Sequence, residues 1–355
     1  MSDPEQPNEQ QPPQPPGRER PVRFEIDADF DFSLPEPPRE SLSTRGFTLR
    51  VDGPEPERPK RRRQPAGGQS GRRRPAPTAG RQPRQSNPKR GGSDMTARIL
   101  YAIPAVAILI AAIVAGGPVF AAAAGLLACI TIWEFCRAAD AARPFPIAAM
   151  LVAIGLVAAA YQWGFTEMML VLVAAIPVVF VAMLTRANTD GALASASVTV
   201  LAAIWIGLPL AHAVLLREFP EHGAALIVNV LVATFVCDTA AYLGGRSFGR
   251  RPLAASISPN KTVEGLLCGI VGGALGFWFV GLYQDWLPGV DALIMGLVIA
   301  VIAPLGDLFE SALKRDLGVK DMGGIMGPHG GMLDRVDALL FTLPAGYYLT
   351  LVFVA

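Results

Sequence analysis

Long apolar stretches recur from Ile99 to the end of the sequence, separated by short polar connections. Each stretch has about 17–22 residues, which is the length that an α-helix needs to cross the hydrocarbon core of a bilayer. The hydropathy pattern predicts such segments at residues 99–116, 118–136, 147–163, 167–185, 197–216, 224–243, 264–283, 290–306 and 336–354. We therefore expect an all-α, polytopic integral membrane protein with about nine transmembrane helices.

The N-terminal part of the chain has a different composition. It is rich in Pro, Gln, Arg and Gly and poor in aliphatic side chains. Such a segment cannot bury a core, so we predict a disordered tail over 1–95 ahead of a membrane domain over 96–355, with no cleavable signal peptide. Between Lys60 and Arg90 the tail has three basic clusters and no acidic residue. The clusters either attract anionic lipid headgroups or only help to fix the topology, and no nucleic-acid partner is expected because the tail is tethered to a membrane.

The connections between the apolar segments fall into two sets that differ in charge. The first set holds most of the basic side chains, namely Arg137, Arg143, Arg186, Arg246, Arg250, Arg251, Lys261, Lys314, Arg315, Lys320 and Arg335. The second set has a single basic residue, Arg217, against several acidic ones. Basic connections tend to stay on the cytoplasmic side of a membrane. We therefore expect a multi-pass protein of the cell (inner) membrane, with the first set and the tail in the cytoplasm and Ala355 outside.

Two polar segments belong to the expected cytoplasmic set. The first runs from Cys237 to Gly265 and begins with Asp238 near the end of a predicted span. An ionisable residue there is costly and is therefore a functional candidate, although pairing with a loop arginine would be a structural role. Thr262 and Glu264 also fit the start of a helix. Lys261 has no capping role, so we expect it to meet an anion.

The second polar segment, Gly306 to Asp337, is dense in charge and lies between two apolar runs. Its first part carries polar residues at the spacing of one helix face: Asp307, Glu310, Ser311 and Lys314. Gly318 is expected to end that helix, and the glycine-rich run from Gly323 to Gly331 to form a loop whose N–H groups can point at an anion. Asp334 and Asp337 follow one turn apart. Carboxylates on two neighbouring helix ends suit a divalent cation.

Together the two segments resemble the phosphatidate cytidylyltransferases, also called CDP-diacylglycerol synthases. The C-terminal signature of that family is matched in order and spacing by Ser311, Lys314-Arg315, Lys320-Asp321, His329-Gly330-Gly331, Asp334-Arg335 and Asp337. Two upstream elements are matched by Asp238 to Tyr242 and by Ser258 to Gly265. The chain departs from the family at Gly327-Pro328, where Pro-Gly is common, and at Met326, where Leu, Ile or Phe is usual. The resemblance covers about residues 99–355.

The resemblance implies transfer of the cytidylyl group of CTP to phosphatidate, giving CDP-diacylglycerol and pyrophosphate for phospholipid biosynthesis. Mg²⁺ is the implied cofactor, with a second, monovalent cation left open, and its implied ligands are Asp307, Asp334 and Asp337. The implied catalytic residues are Asp238, Lys261, Glu264, Lys314 and His329. The implied substrate-binding residues are Ser258, Lys261, Ser311, Lys314, Arg315, Lys320, Asp321, Gly330, Gly331 and Arg335. The active site would face the cytoplasm, where CTP is dissolved.

Other interpretations of the same residues remain open. A CTP-dependent polyprenol or phytol kinase-like enzyme, or a cytidylyltransferase for another lipid phosphate, would need a similar inventory. An ion-coupled transporter would use Asp238 and Asp307 within the membrane, but transporters often contain internal repeats, and none is found here. His329 could tie its own loop to a backbone carbonyl instead of binding phosphate. The expected partners are CTP, phosphatidate and anionic membrane lipids, and a homodimer is left open.

Overall fold

The structure, a computed structural model, describes residues 93–325 and 330–354, with side chains from Ile103 onward. Residues 1–92, which hold nearly all of the predicted tail and its basic clusters, lie outside the described residues, as does His329. The described chain is a bundle of apolar helices with one short β-hairpin. The predicted all-α, polytopic membrane fold is confirmed.

The secondary structure follows the apolar runs of the sequence. The α-helices are α1 Ser93–Ala115, α2 Gly117–Ala138, α3 Pro146–Gln162, α4 Phe165–Met183, α5 Ala192–Ala202, α6 Leu208–Arg217, α7 Gly223–Phe248, α8 Val263–Gly281, α9 Gly289–Asp316, α10 Leu333–Val336 and α11 Leu339–Phe353. A short 3₁₀-helix spans Asp140–Ala142, and a π-helical turn, Ala203–Gly207, joins α5 to α6. The strands are β1 Pro252–Ala254 and β2 Ser258–Thr262.

Within the described residues, 7 helical segments are long and apolar enough to cross a membrane. Two of these segments are composite, since α5 and α6 run together as Ala192–Arg217 and α10 and α11 as Leu333–Phe353. Two shorter apolar helices complete the bundle, α3 and the part of α1 from Ile103 to Ala115. All of these segments lie where the hydropathy pattern predicts a span, because the polar connections that interrupt the apolar runs also end the helices.

Small residues allow α7, α8 and α9 to approach one another closely. Gly265, Gly269 and Gly273 recur every four residues and so lie on one face of α8. A Cβ atom at Gly273 would come within 2.8 Å of Ala300 Cβ in α9 and 2.9 Å of Ala233 O in α7. Such contacts between backbones are the usual means of packing membrane helices, where lipid offers no competing polar solvent. We call these three residues the glycine seam. The seam holds together the helices that carry Asp238 and Asp307.

The β-hairpin is a departure from helix that the sequence pattern did not predict. β1 and β2 are antiparallel, and their residues show no alternation of apolar and polar side chains. Interactions with the neighbouring helices hold the hairpin instead. Glu264 Oε2 accepts hydrogen bonds from Arg250 N at 2.9 Å and Arg251 N at 3.2 Å, and Arg315 Nε of α9 donates to Ile257 O at 3.0 Å. The hairpin thus presents its last residues, including Lys261, to the end of α9.

The glycine seam predicts a stability difference between two chemically identical substitutions. Gly273→Ala should destabilise the bundle by about 1–3 kcal/mol, because the new methyl group overlaps α7 and α9. Gly125→Ala in α2 is the matched control, since its Cβ would meet only Val157 Cγ1 at 3.9 Å. It should leave stability unchanged or raise it by up to about 1 kcal/mol through helix propensity. The measurement is the midpoint temperature of thermal unfolding in detergent, and equal midpoints for the two variants would contradict the packing argument.

Candidate functional site

The last turns of α9 carry four polar side chains on one face, as their spacing predicts. Ser311 Oγ donates a hydrogen bond to Asp307 Oδ1 at 3.4 Å, one turn apart. Lys314 Nζ forms an ion pair with Glu310 Oε2 at 2.5 Å, again one turn apart. Glu310 is only 1% exposed, so its charge needs compensation from within the protein. This polar face of α9 forms one side of the candidate site.

Lys314 also joins α9 to the start of α10. Its Nζ lies 2.7 Å from Asp334 Oδ1, and the two side chains are 15% and 7% exposed. Two backbone amides also bind Asp334, since Gly331 N donates to Oδ2 at 2.6 Å and Met322 N donates to Oδ1 at 3.1 Å, and its carboxyl group lies beside that of Glu310. Asp334 therefore holds both limbs of the glycine-rich loop at its base, and Lys314 links that base to α9.

A second lysine reaches the site from the hairpin. Lys261, next to the end of β2, forms an ion pair with Asp307 Oδ2. Asp238 of α7 interacts electrostatically with both partners of this pair. Asp238, Lys261 and Asp307 are far apart in the sequence, and the packing of α7, α8 and α9 brings them together. Within the described residues Asp238 does not pair with a loop arginine, which was the structural alternative for this residue.

Three carboxylates lie close enough to share one cation. Asp307, Glu310 and Asp337 each present an oxygen, and these oxygens all lie within 4.8 Å of one another. Glu310 Oε1 is buried and has no hydrogen-bond partner among the described residues. The close approach of α9 to α10 explains the arrangement, because a Cβ at Gly306 would lie 2.5 Å from Asp337 O. We call these three residues the carboxylate cluster. Its hard oxygen donors suit Mg²⁺.

The carboxylate cluster differs in one member from the metal ligands that the resemblance implied. Asp307 and Asp337 are in both sets, but the third member of the cluster is Glu310 in place of Asp334. Asp334 has both of its oxygens occupied by Lys314 and by two loop amides. The sequence placed Glu310 on the correct helix face without assigning it a role.

The remaining predicted site residues differ in their exposure. Glu264 is half-buried and binds backbone amides before the hairpin, and Thr262 caps α8 through a hydrogen bond from Gly265 N at 3.1 Å, as the capping interpretation predicts. Ser258, Ser311 and Gly330 are half-buried. Exposed residues are Arg315, Lys320, Asp321 and Arg335. Gly331 is buried, and Gly330 has a φ of 84°, a value that favours glycine.

One buried carboxylate at the site was not singled out in the sequence. Glu134 of α2 is 3% exposed, and its Oε2 accepts a hydrogen bond from Leu333 N at 3.0 Å. The sequence does mark this residue, because Glu134 is the single charged residue of the apolar run 118–136. Ionisable residues inside a span are functional candidates by default.

The double ion pair of Lys314 predicts a large dependence of stability on this side chain. Lys314→Met should cost about 3–5 kcal/mol, because it leaves buried carboxylates at Glu310 and Asp334 without their cation. Lys320→Met, the same change at an exposed position, should stay within about 0.5 kcal/mol of the unaltered protein. Thermal unfolding in detergent without nucleotide or divalent cation measures both. A shift for Lys314→Met no larger than that for Lys320→Met would show that the ion pairs are not stabilising.

Comparison with known proteins gives a consistent result. The chain is 42% identical over 154 residues to the phosphatidate cytidylyltransferase of Bacillus subtilis, covering 43% of this chain and 57% of the relative. It is 41% identical over 143 residues to the uncharacterized protein YnbB of Escherichia coli, covering 39% and 48%. It is 35% identical over 166 residues to the phosphatidate cytidylyltransferase of Mycobacterium bovis, covering 44% and 53%. The matched part of the chain thus spans about half the length of these relatives. Residues 96–353 match the model of the Cytidylyltransferase family, and the chain therefore belongs to that family.

Proposed function

We propose that the protein transfers the cytidylyl group of CTP to phosphatidate, forming CDP-diacylglycerol and releasing pyrophosphate. Family membership supports the type of reaction, and two of the relatives above are named phosphatidate cytidylyltransferases. The observation that carries the proposal is the carboxylate cluster beside two lysines, Lys261 and Lys314, at one end of a bundle of membrane-spanning helices. A site of this kind suits a polyphosphate that must meet a lipid phosphate at headgroup level.

Mg²⁺ is the cofactor that we propose for the carboxylate cluster. The donor set fits the ion, since it consists of three carboxylates, and the unpartnered Oε1 of Glu310 is a buried acceptor that a cation would satisfy. When bound, the ion would neutralise charge on the phosphates of CTP. The engaged oxygens of Asp334 support a different role for that residue, which is to hold the glycine-rich loop against α9. The second, monovalent cation and the homodimer stay predictions.

The chemistry needs positioning more than proton transfer. A phosphate oxygen of phosphatidate attacks the α-phosphorus of CTP, the bond from that phosphorus to the oxygen bridging the β-phosphate breaks, and pyrophosphate leaves. The nucleophile is already an anion, so no strong base is required, and the barrier arises from bringing two polyanions together. Lys261 and Lys314 supply the positive charge that lowers this barrier, and the carboxylates that bind them keep both amines at the site.

The orientation in the membrane is part of the proposal. The hairpin and the glycine-rich loop belong to the basic set of connections, so we place the site on the cytoplasmic side of the cell (inner) membrane. CTP is dissolved on that side, and the phosphate of phosphatidate lies at the level of the headgroups. A nucleotide could then reach Lys261 without entering the hydrocarbon core.

A product assay with variants of the carboxylate cluster tests both the reaction and the metal. Purified protein with Mg²⁺, labelled CTP and phosphatidate should form CDP-diacylglycerol and pyrophosphate in equal amounts, whereas release of CDP would identify a kinase. Asp307→Asn and Glu310→Gln should each lower turnover by more than about 100-fold, because an amide binds Mg²⁺ poorly. Asp316→Asn, an exposed position at the end of α9, is the matched control and should be fully active. Activity of both cluster variants close to that of the control at limiting Mg²⁺ would refute the metal assignment.

Single cysteines test the orientation. In a background without the 4 native cysteines, Ser256→Cys in the hairpin turn and Gly324→Cys in the glycine-rich loop should react with a membrane-impermeant maleimide only from the cytoplasmic side. Gly289→Cys at the start of α9 should react only from outside. Both glycines accept a side chain, since a Cβ at Gly324 meets nothing within 4 Å and one at Gly289 meets Trp278 Nε1 at 3.6 Å. Labelling of Gly324→Cys from outside intact cells would reverse the proposed orientation.

A further inference from the structure

Glu134 is a buried carboxylate that the proposed reaction does not use. It lies in the last turns of α2, a helix that contributes none of the acidic groups of the carboxylate cluster, and it is 3% exposed. Its Oε1 is buried without a hydrogen-bond partner among the described residues. A buried charged group is costly unless its contacts compensate for the loss of water. The contacts that compensate for the burial of Glu134 therefore indicate its role.

The hydrogen bond of Glu134 and its closest approaches to glycine are with the base of the glycine-rich loop. Oε2 accepts from Leu333 N, a buried amide at the first position of α10. The two limbs of the loop close directly on the same carboxylate. A Cβ at Gly331 would lie 2.7 Å from Glu134 Oε2 and 2.8 Å from Gly323 N, and a Cβ at Gly323 would overlap the carboxyl group. Both positions require glycine because the carboxylate occupies the space of a side chain.

The loop base is thus held by two carboxylates from different helices. Asp334 binds the amides of Met322 and Gly331, while Glu134 binds the amide of Leu333, the residue next to Asp334. Leu333 itself is fully buried. The backbone at Asp334 is therefore held in two ways. Glu134 binds the amide of the preceding residue, Leu333, and the side chain of Asp334 itself binds amides of the loop. Any displacement of Leu333 would move Asp334 and the ion pair that it makes with Lys314.

The position of Glu134 is itself fixed by aromatic packing against α9. The adjacent Phe135 contacts Trp205 edge-on, with ring centroids 5.4 Å apart, and Trp205 contacts Phe309 edge-on at 5.0 Å. Phe309 precedes Glu310 of the carboxylate cluster. Aromatic pairs in this geometry are favourable, and they fix the position of α2 along α9. The carboxylate of Glu134 is consequently a fixed point from which the loop can be aligned with the cluster.

We infer that Glu134 is a positioning residue for the proposed cytidylyl transfer, acting through the amide of Leu333 to place Asp334 and Lys314 against the carboxylate cluster. The inference rests on the proposed function. Glu134 needs no contact with either substrate in this role. What it supplies is a hydrogen-bond acceptor in a fixed place, so an uncharged acceptor of the same shape should replace it.

Three variants test the role. Glu134→Leu removes the acceptor at similar volume, Glu134→Gln keeps an acceptor oxygen, and Thr131→Val is the matched control on the same helix. Thr131 is fully buried, and its Oγ1 donates only to Leu127 O and Ala128 O of its own helix within the described residues. The readouts are kcat and KM for CTP at a temperature at which every variant is folded, and hydrogen exchange of a peptide spanning residues 330–336.

Glu134→Leu should lower kcat by about 10–100-fold, the usual cost of losing a residue that orients a ligand or catalytic group, with KM for CTP little changed. The exchange of the 330–336 peptide should accelerate in the same variant. Glu134→Gln should stay within about threefold of the unaltered protein, since it can still accept from Leu333 N. Thr131→Val should match the unaltered protein in kcat and in exchange.

Two results would overturn the inference. One is unchanged kcat and exchange in Glu134→Leu. The other is a loss in Glu134→Gln as large as that in Glu134→Leu while the loop stays protected, because the charge and not the placement would then matter. If the unaltered protein formed no CDP-diacylglycerol, the proposed function would fail on its own. The exchange measurement would still decide whether Glu134 holds the loop base.

Discussion

The ion pairs of Lys314 are the interaction on which the charged end of the bundle depends. Five carboxyl groups, from three helices, gather around two amines in a partly buried volume. Without Lys314 the carboxyl groups of Glu310 and Asp334 would repel each other across the contact of α9 with α10. Even with both lysines the carboxylates remain in excess, and this excess suits the divalent cation that we propose for the carboxylate cluster. With a cation beside the carboxylates, the same lysines would be available to phosphate oxygens.

The rest of the bundle keeps this charged end in register. The glycine seam lets α7 and α9 approach closely enough for Asp238 to interact electrostatically with Asp307. The hairpin places Lys261 at the same point. α2 reaches the loop base through Glu134. Rigid helices therefore supply the acidic groups, while the short irregular connections supply backbone amides. Placing the acidic groups on helices fixes their positions precisely, because acidic groups on loops alone would be free to separate.

Much of this arrangement can be predicted from the sequence, for identifiable reasons. The spans follow from hydropathy, and the polar face of α9 follows from residue spacing, because both are local properties of the chain. The hairpin was not predicted, since its residues carry no strand pattern and contacts with Glu264 and Arg315 hold it in place. The grouping of Glu310 with Asp337, and the role of Glu134, depend on contacts between residues far apart in the sequence. Spacing along one helix cannot reveal which neighbouring element occupies each carboxylate.

The π-helical turn between α5 and α6 sets the angular phase of everything that follows it in that segment. A π-turn contains one residue more than regular helix requires and absorbs it by widening, so removing a residue from Ala203–Gly207 would restore ordinary hydrogen bonding and leave α6 in phase. Removing a residue from the regular helix of α5 or α6 would instead rotate one part of the segment against the other by about 100°. A deletion of the second kind would turn Trp205 away from Phe135 and Phe309, or His212 from Tyr348, whose hydroxyl lies 3.3 Å from its Nε2. The hydropathy profile would hardly change. In this segment the number of residues therefore carries structural information that their apolar character does not, and a deletion that looks harmless in a bilayer would misalign the helix.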